Sequence, residues 1–226
     1  MLASAEKLTV DGDAGRIEFA LDWPDQGAPR GIAYVGHPHP LYGGTLDNKV
    51  ASTMARTFAG LGWLAVRPNF RGVGRSEGAH DEGRGETSDF AHLINTVPTL
   101  PEVAARISAG LPVALAGFSF GSFVVARVAR TLAARHQPLR HLVLVGCPAG
   151  KWPMPEVRHD TLVIHGENDE TIPLADVLTW ARPQNLPVVV IPGADHFFHR
   201  RLPLLKTLIS AHILGMSAFD AASQTA

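Results

Sequence analysis

The chain has 226 residues, of which 46% are hydrophobic and 18% charged, and its formal net charge is −1. This composition is typical of a globular domain with a sizeable core and excludes a disordered chain. The near-neutral charge provides no basic surface for nucleic acid or for an anionic membrane, so we expect neither as a partner.

The cysteine content and the hydropathy pattern predict a cytoplasmic protein. Cys147 is the single cysteine, which excludes an intrachain disulfide and fits a reducing compartment. Residues 1–19 lack the basic region and apolar stretch of a secretory signal. No apolar run approaches the roughly 18 to 20 residues that a membrane-spanning helix needs.

Short apolar runs bounded by glycine and proline predict seven β-strands. They lie at residues 17–23, 31–37, 63–70, 112–118, 141–147, 161–166 and 187–193. The periodicity of the intervening segments predicts helices at 49–62, 122–136, 173–183 and 196–215, the last interrupted by Pro203. The later strands are apolar throughout, as in parallel strands that are covered on both faces.

The alternation of strands and helices predicts an α/β fold, with a mostly parallel central sheet and helices on both faces. We expect a single domain over residues 1–226, with a polar loop at 79–87 and a flexible tail at 217–226. Ligands of open parallel sheets bind at the carboxyl ends of the strands. The residues that follow each strand are therefore the candidates for chemistry.

The sequence GFSFG, residues 117–121, closes one strand and leads directly into a helix. Ser119 lies between two glycines, and a nucleophile at a strand-to-helix turn needs small flanking residues because the strained backbone brings neighbouring atoms close. The helix that follows directs its first N–H groups toward developing negative charge. We interpret Ser119 as a nucleophile; the alternative is a packing turn with an idle serine.

An acid and a histidine follow two later strands, in the chain order expected of a nucleophile-elbow hydrolase. His196 follows the strand at 187–193, and the loop after the preceding strand offers Glu167, Asp169 and Glu170. A histidine must remove the serine proton, and an acid must hold that histidine in the right tautomer. We favour Asp169 because it lies deeper in its loop than Glu167 and should reach across the strand ends, and the two glutamates remain alternatives.

The remaining strand end, HPHPLYGG, occupies the place where such enzymes supply the second oxyanion donor. The first donor is the N–H of Phe120, the residue after the nucleophile. Pro38 and Pro40 have no N–H, so the second donor is His39 or Leu41, of which we favour His39.

The same loop suggests a metal pair, because two histidines at i and i+2 on a strand face the same way. His37 and His39 are separated by prolines, however, and have no third ligand at a fixed spacing. We therefore predict that the protein uses no metal and no other cofactor, and that His37 is a scaffold of the loop.

Five motifs together resemble the α/β-hydrolase superfamily, from about residue 8 to 214. They are HPHPLYGGTLDNK at 37–49, NFRGVGRSEG at 69–78, GFSFG at 117–121, HGENDETIP at 165–173 and GADHFF at 193–198. The nearest likeness is to the small lidless bacterial serine hydrolases with an HPHPxxGG loop, which are related to the dienelactone hydrolases.

The resemblance implies a catalytic triad of Ser119, Asp169 and His196. It also implies an oxyanion hole made by the amides of Phe120 and of the 37–41 loop. True dienelactone hydrolases carry a cysteine at the elbow, whereas this chain has serine, which favours ordinary ester or thioester hydrolysis over lactone chemistry.

Only about 13 residues, Pro148 to Asp160, separate two strands at the point where many α/β-hydrolases insert a lid. We therefore expect an open site, and four aromatic residues are candidates for its substrate pocket: Tyr42, Phe118, Trp152 and Phe197. An open cleft suits small acyl groups.

The sequence thus predicts a carboxylesterase that cleaves short-chain acyl esters, small-molecule substrates, through an acyl-enzyme intermediate. One alternative is a thioesterase or acyl transferase acting on a pantetheine-linked acyl group. The other is a non-catalytic binding protein with the hydrolase fold. The sequence leaves open whether the protein is a monomer or a small homo-oligomer.

Overall fold

The computed structural model describes residues 5–223. Its strands are β1 (Glu6–Gly12), β2 (Gly15–Asp22), β3 (Ile32–Gly36), β4 (Leu64–Pro68), β5 (Val113–Phe118), β6 (Leu139–Val145), β7 (Leu162–Gly166) and β8 (Val188–Ile191). Its α-helices are α1 (Lys49–Gly60), α2 (Arg84–Thr96), α3 (Pro101–Ala104), α4 (Phe120–Ala134), α5 (Leu174–Ala181) and α6 (Leu202–Ser223). Short 3-10 helices cover Pro40–Tyr42, Val97–Thr99 and Arg182–Gln184.

The eight strands form one sheet in the order β1-β2-β4-β3-β5-β6-β7-β8. β2 runs antiparallel to both of its neighbours, and from β4 to β8 every pairing is parallel. The predicted α/β fold with a mostly parallel sheet is confirmed. The carboxyl ends of β3, β5, β7 and β8 therefore lie along one edge of the sheet, which brings the residues that follow them together.

Helices cover both faces of the sheet, and each face has its own apolar core. Side chains of α1 and α6 pack on one face, and side chains of α2, α4 and α5 pack on the other. Successive strand residues alternate between the two cores, as Ala33 and Tyr34 do in β3. This alternation explains why the central strands read as continuous apolar runs.

Three elements of the structure were not predicted from the sequence: β1, α2 and the four-residue helix α3. β1 was not predicted, because it is an edge strand on which only Val10 is buried, so it shows no apolar run. α2 was also missed, and it begins at Arg84, inside the segment 79–87 that was predicted to be a polar loop. Its first turn contains Glu86, a fully buried carboxylate whose burial the sequence does not reveal.

The last helix begins later and ends later than predicted. Phe198 and Arg200 have φ angles of 54° and 60°, and these left-handed conformations keep residues 196–201 out of the helix. Pro203 lies in the first turn of α6, where it does not interrupt the helix. α6 continues to Ser223, so most of the predicted tail is helical, and its residues 224–226 lie outside the described residues. No helix in the described range is both long and apolar enough to cross a membrane.

Candidate active site

The turn between β5 and α4 holds Ser119 in a strained conformation, with φ 53° and ψ −123°. The glycines on either side are required by close backbone packing. A Cβ atom on Gly117 would lie 2.4 Å from the carbonyl carbon of Gly121, and one on Gly121 would lie 2.4 Å from the oxygen of Gly36. The N–H of Ser119 donates to Val145 O at 2.9 Å, which ties the turn to β6.

His196 follows β8 and reaches Ser119 across the sheet edge. Its Nε2 lies 3.0 Å from Ser119 Oγ, and its Nδ1 lies 2.7 Å from Asp169 Oδ2. Because a carboxylate accepts at Nδ1, that nitrogen carries the proton, and Nε2 is left to accept the serine proton. All three residues are largely buried.

Asp169 is held by backbone donors of its own loop. Its Oδ1 accepts the N–H of Thr171 at 2.9 Å and the N–H of Ile172 at 2.7 Å. Burial by itself raises the pKa of Asp169, but the hydrogen bonds from His196 and Ile172 outweigh it, so the pKa is lowered. The carboxylate therefore stays ionised beside the imidazole.

The other acids near these strand ends have different partners. Glu167 accepts the N–H of Gly193 at 2.8 Å, and Asp195 contacts His199 Nδ1 at 2.6 Å. Glu170 is exposed to solvent. Of the acids considered from the sequence, the structure brings Asp169 to His196.

The loop after β3 lies beside the nucleophile. Phe120 is the first residue of α4, so its N–H is among the helix N–H groups that have no intrahelical acceptor. The ring of His39 lies 4.9 Å from the ring of Phe120, measured between centroids. Leu41 donates its N–H to His39 Nδ1 at 3.3 Å, whereas within residues 5–223 no hydrogen bond uses the N–H of His39.

His37 is a buried scaffold of this loop. The N–H of Phe70 donates to its Nε2 at 3.0 Å, and its Nδ1 donates to Pro38 O at 2.6 Å. Burial lowers the pKa of His37 to about 4, so the ring is neutral. Both ring nitrogens are engaged by backbone groups, which leaves neither for a metal ion. Elsewhere in the described part of the chain, no three metal-ligating side chains converge.

The family model described as serine aminopeptidase, S33, matches residues 45–159. The chain belongs to this family of α/β serine hydrolases. The match includes the elbow around Ser119 and ends before Asp169 and His196.

Two solved structures resemble the hydrolase over nearly its whole length. An α/β serine hydrolase without lid from Xanthomonas campestris is 33% identical, with a TM-score of 0.81, over 97% of this chain and 96% of that chain. An α/β serine hydrolase homologue from Coxiella burnetii is also 33% identical, with a TM-score of 0.77, over 91% of this chain and 95% of that chain. An uncharacterized protein of Rickettsia prowazekii (strain Madrid E) is 28% identical over 228 residues, covering 92% of this chain and 88% of that protein.

The four predicted pocket residues have different positions in the hydrolase. Tyr42 is 87% exposed and Phe197 is 47% exposed, and Phe197 lies next to the imidazole of His196. Trp152 is half-buried and packs its ring on Phe120. Phe118 does not line a cleft, which corrects the expectation, because it is fully buried with its ring 5.0 Å from that of His196. It supports the histidine from the core.

Sequence reasoning missed two histidines near the site, of which His165 is buried and His80 is partly exposed. His165, in β7, contacts the loop of Asp169, and His80 pairs with Glu86 beside His39. An apolar strand pattern conceals His165. The contacts of His80 depend on tertiary packing, for which a single sequence carries no signal.

Proposed function

We propose that the hydrolase cleaves short-chain carboxylic esters, with Ser119 as nucleophile, His196 as general base and Asp169 as the orienting acid. The observation that carries this proposal is the unbroken hydrogen-bond chain from Ser119 Oγ through His196 to Asp169, at 3.0 and 2.7 Å. The strained conformation of Ser119 at a strand-to-helix turn supports it independently, because such strain is concentrated at functional sites.

In this mechanism Ser119 Oγ attacks the ester carbonyl carbon while its proton moves to His196 Nε2. The imidazolium that forms is stabilised by ionised Asp169 and then gives its proton to the leaving alcohol oxygen. This step breaks the ester bond and leaves the acyl group on Ser119. Water, deprotonated by the same histidine, attacks the acyl-enzyme and releases the carboxylic acid, which restores the serine hydroxyl.

Two backbone donors are proposed to hold the oxyanion. The N–H of Phe120 lies at the start of α4, where the helix dipole also favours negative charge. We assign the second donor to His39 rather than Leu41, since the Leu41 N–H is already bonded to His39 Nδ1.

Two features of the site favour esters with a short acyl group. The segment between β6 and β7 has no room for a lid domain. Two exposed aromatic residues flank the site, Tyr42 beside His39 and Phe197 beside His196. An open site of this kind covers a small acyl group but gives little burial to a long chain. The alternative substrate is a pantetheine-linked thioester, and a screen that compares thioesters with matched oxygen esters distinguishes the two.

The proposal is tested by labelling the protein with a fluorophosphonate probe and locating the label by peptide mass spectrometry. We expect the label on Ser119, no label in Ser119→Ala, and full labelling in the control Ser88→Ala, which changes an exposed serine of α2. Hydrolysis of methyl butanoate, measured by pH-stat titration, should be lost in Ser119→Ala and kept in wild type and in Ser88→Ala. Folded wild-type protein that takes no label would overturn the proposal.

A further inference from the structure

A second carboxylate–imidazole pair lies beside Phe120, the residue that follows the nucleophile, and takes no part in the proposed mechanism. His80 Nδ1 lies 3.0 Å from Glu86 Oε1. Glu86 is fully buried in the first turn of α2, where it also accepts the N–H of Asp81 at 2.9 Å and the N–H of Gly83 at 2.8 Å. The carboxylate is thus fixed by three donors and cannot turn away from the histidine.

This pairing determines what the other nitrogen of His80 offers. A carboxylate accepts at Nδ1, so Nδ1 carries the proton and Nε2 of the neutral ring is an acceptor. No hydrogen bond within the described range engages Nε2, and the side chain of His80 keeps 11% of its surface exposed.

The ring of His80 lies on the side of the oxyanion donors. Its centroid is 4.7 Å from that of His39, 5.2 Å from that of Phe120 and 6.2 Å from that of Trp152. The aromatic neighbours of His196 are instead Phe118 and Phe197.

Because His80 and His196 have different neighbours, we can assign the acyl and alcohol halves of an ester substrate to different sides of the site. The leaving alcohol must face His196, which protonates it. A group beside the oxyanion donors and away from that histidine therefore meets the acyl half. The acyl half thus faces the partly exposed rings of His39 and Trp152 and one unused hydrogen-bond acceptor.

We propose that His80 is a substrate-binding residue that accepts, at Nε2, a hydrogen bond from a donor on the acyl group of the substrate, either a hydroxyl or an ammonium. This inference rests on the proposed esterase function and narrows its substrates to acyl esters that bear such a donor. Glu86 fixes the tautomer and the orientation of His80. A plain alkyl acyl group would offer Nε2 of His80 no hydrogen bond.

The test compares three methyl esters with the same four-carbon acyl chain: methyl butanoate, methyl 3-hydroxybutanoate and methyl 3-aminobutanoate. We expect wild-type kcat/KM for at least one substituted ester to exceed that for methyl butanoate by about tenfold, mostly through a lower KM, as one added hydrogen bond predicts. A preference for the hydroxy ester identifies the donor as a hydroxyl, and a preference for the amino ester identifies it as an ammonium.

Two variants separate the role of Nε2 from that of the fold. His80→Asn keeps a donor near the Nδ1 position for Glu86 but has no atom at the Nε2 position, and should lose the preference. His80→Gln places its amide near the Nε2 position and should retain part of it. The matched control is His199→Asn, which changes another histidine held by a carboxylate, Asp195, and should leave the preference unchanged.

The failures of the two proposals are distinguishable. If wild-type protein is labelled at Ser119 and hydrolyses methyl butanoate but treats all three esters alike, the inference about His80 is wrong and the esterase proposal stands. An unchanged preference in His80→Asn overturns the inference in the same way. If wild-type protein is neither labelled nor active on any ester, the proposed function itself falls. Labelling of His80→Asn at the wild-type rate shows that this variant is folded.

Discussion

The imidazole of His165 lies behind Asp169, with its Nε2 3.4 Å from Asp169 Oδ2 and 2.9 Å from the carbonyl oxygen of Ile172. The carbonyl accepts, so Nε2 carries the proton of His165. Ile172 in turn donates its N–H to Asp169 Oδ1. The strand β7 therefore fixes the loop 169–172 through one side chain, and that loop fixes the acid that orients His196.

The charge of Asp169 is the first feature to test. Asp169→Asn preserves the volume of the side chain but removes the negative charge and allows the wrong imidazole tautomer. We expect kcat for methyl butanoate to fall by about 1,000- to 10,000-fold, as for other triads of this type. The control Glu167→Gln, in the same loop, should change kcat less than about threefold, since a variant far from the reacting atoms has little effect on the transition state. Equal losses in the two variants would contradict the role assigned to Asp169.

His165 gives a prediction about positioning. His165→Phe removes the hydrogen bond to Ile172 and loosens the loop of Asp169. We expect kcat to fall by about tenfold with KM unchanged, and the free energy of unfolding to fall by about 1 kcal/mol, the value of one buried hydrogen bond.

His165→Gln is the rescue variant, because its amide N–H can reach the carbonyl oxygen of Ile172. It should recover most of the wild-type kcat. If His165→Phe loses stability in urea unfolding but keeps full kcat, the residue serves the fold alone and does not position the acid.

The second oxyanion donor is testable because the backbone of His39 already has a φ angle of −53° and a ψ angle of 124°, which proline tolerates. His39→Pro removes the N–H, and His39→Ala removes only the side chain. We expect kcat of the proline variant to be lower than that of the alanine variant by about 100- to 1,000-fold, the usual cost of one oxyanion donor. Similar kcat values in the two variants would show that the N–H of His39 is not the second oxyanion donor.

Sequence patterns revealed the parts of this hydrolase in which local chemistry and burial coincide. The central strands are buried on both faces and so appear as apolar runs, and Ser119 was found because the elbow needs Gly117 and Gly121 on either side of it. Candidate residues that follow parallel strands could be grouped without knowing any distance, since those strand ends share one edge.

The remaining features depend on partners that periodicity does not report. Glu86 is a charged residue in a polar stretch, so nothing local indicates that it is fully buried and holds His80. Phe118 was expected to line the pocket, but its ring lies in the apolar core on the face of the sheet that α1 and α6 cover. Phe198 likewise adopts a left-handed conformation although it is not a glycine, so the sequence does not indicate that α6 begins only after it.

The glycine before the nucleophile should tolerate no side chain. In Gly117→Ala the new Cβ would lie 2.4 Å from backbone atoms of Gly121, and backbone cannot move aside as a flexible side chain does. We expect the free energy of unfolding to fall by about 3 kcal/mol, at the upper end for overpacking, with loss of labelling at Ser119. The control is Gly60→Ala at the end of α1, where nothing lies within 4 Å of the new Cβ, and its unfolding free energy should stay within about 1 kcal/mol of wild type. A Gly117→Ala variant as stable as Gly60→Ala would show that the elbow can relax.

Two buried histidines should make the hydrolase sensitive to acid. Burial lowers the pKa of His37 to about 4, and burial followed by the charge of Arg140 lowers the pKa of His141 to about 4 as well. The unfolded chain, with histidine pKa values near about 6.5, binds more protons than the folded one between these limits. The contribution of these two histidines to the free energy of unfolding is therefore fully present above about pH 6.5. It is lost as the pH falls toward 4, by up to about 1.4 kcal/mol per pH unit for each histidine.

His141 separates this effect from general acid denaturation, because neither of its ring nitrogens has a hydrogen-bond partner among the described residues. Replacing it with phenylalanine removes an unpaired buried polar group as well as the titration. We expect His141→Phe to be more stable than wild type at pH 7.5 by about 1 kcal/mol and to lose stability less steeply between pH 6.5 and 4.5. Urea unfolding at several pH values measures both, with exposed His136→Gln as the control that keeps the wild-type slope. A slope in His141→Phe equal to that of wild type would mean that this histidine does not titrate on unfolding in that range.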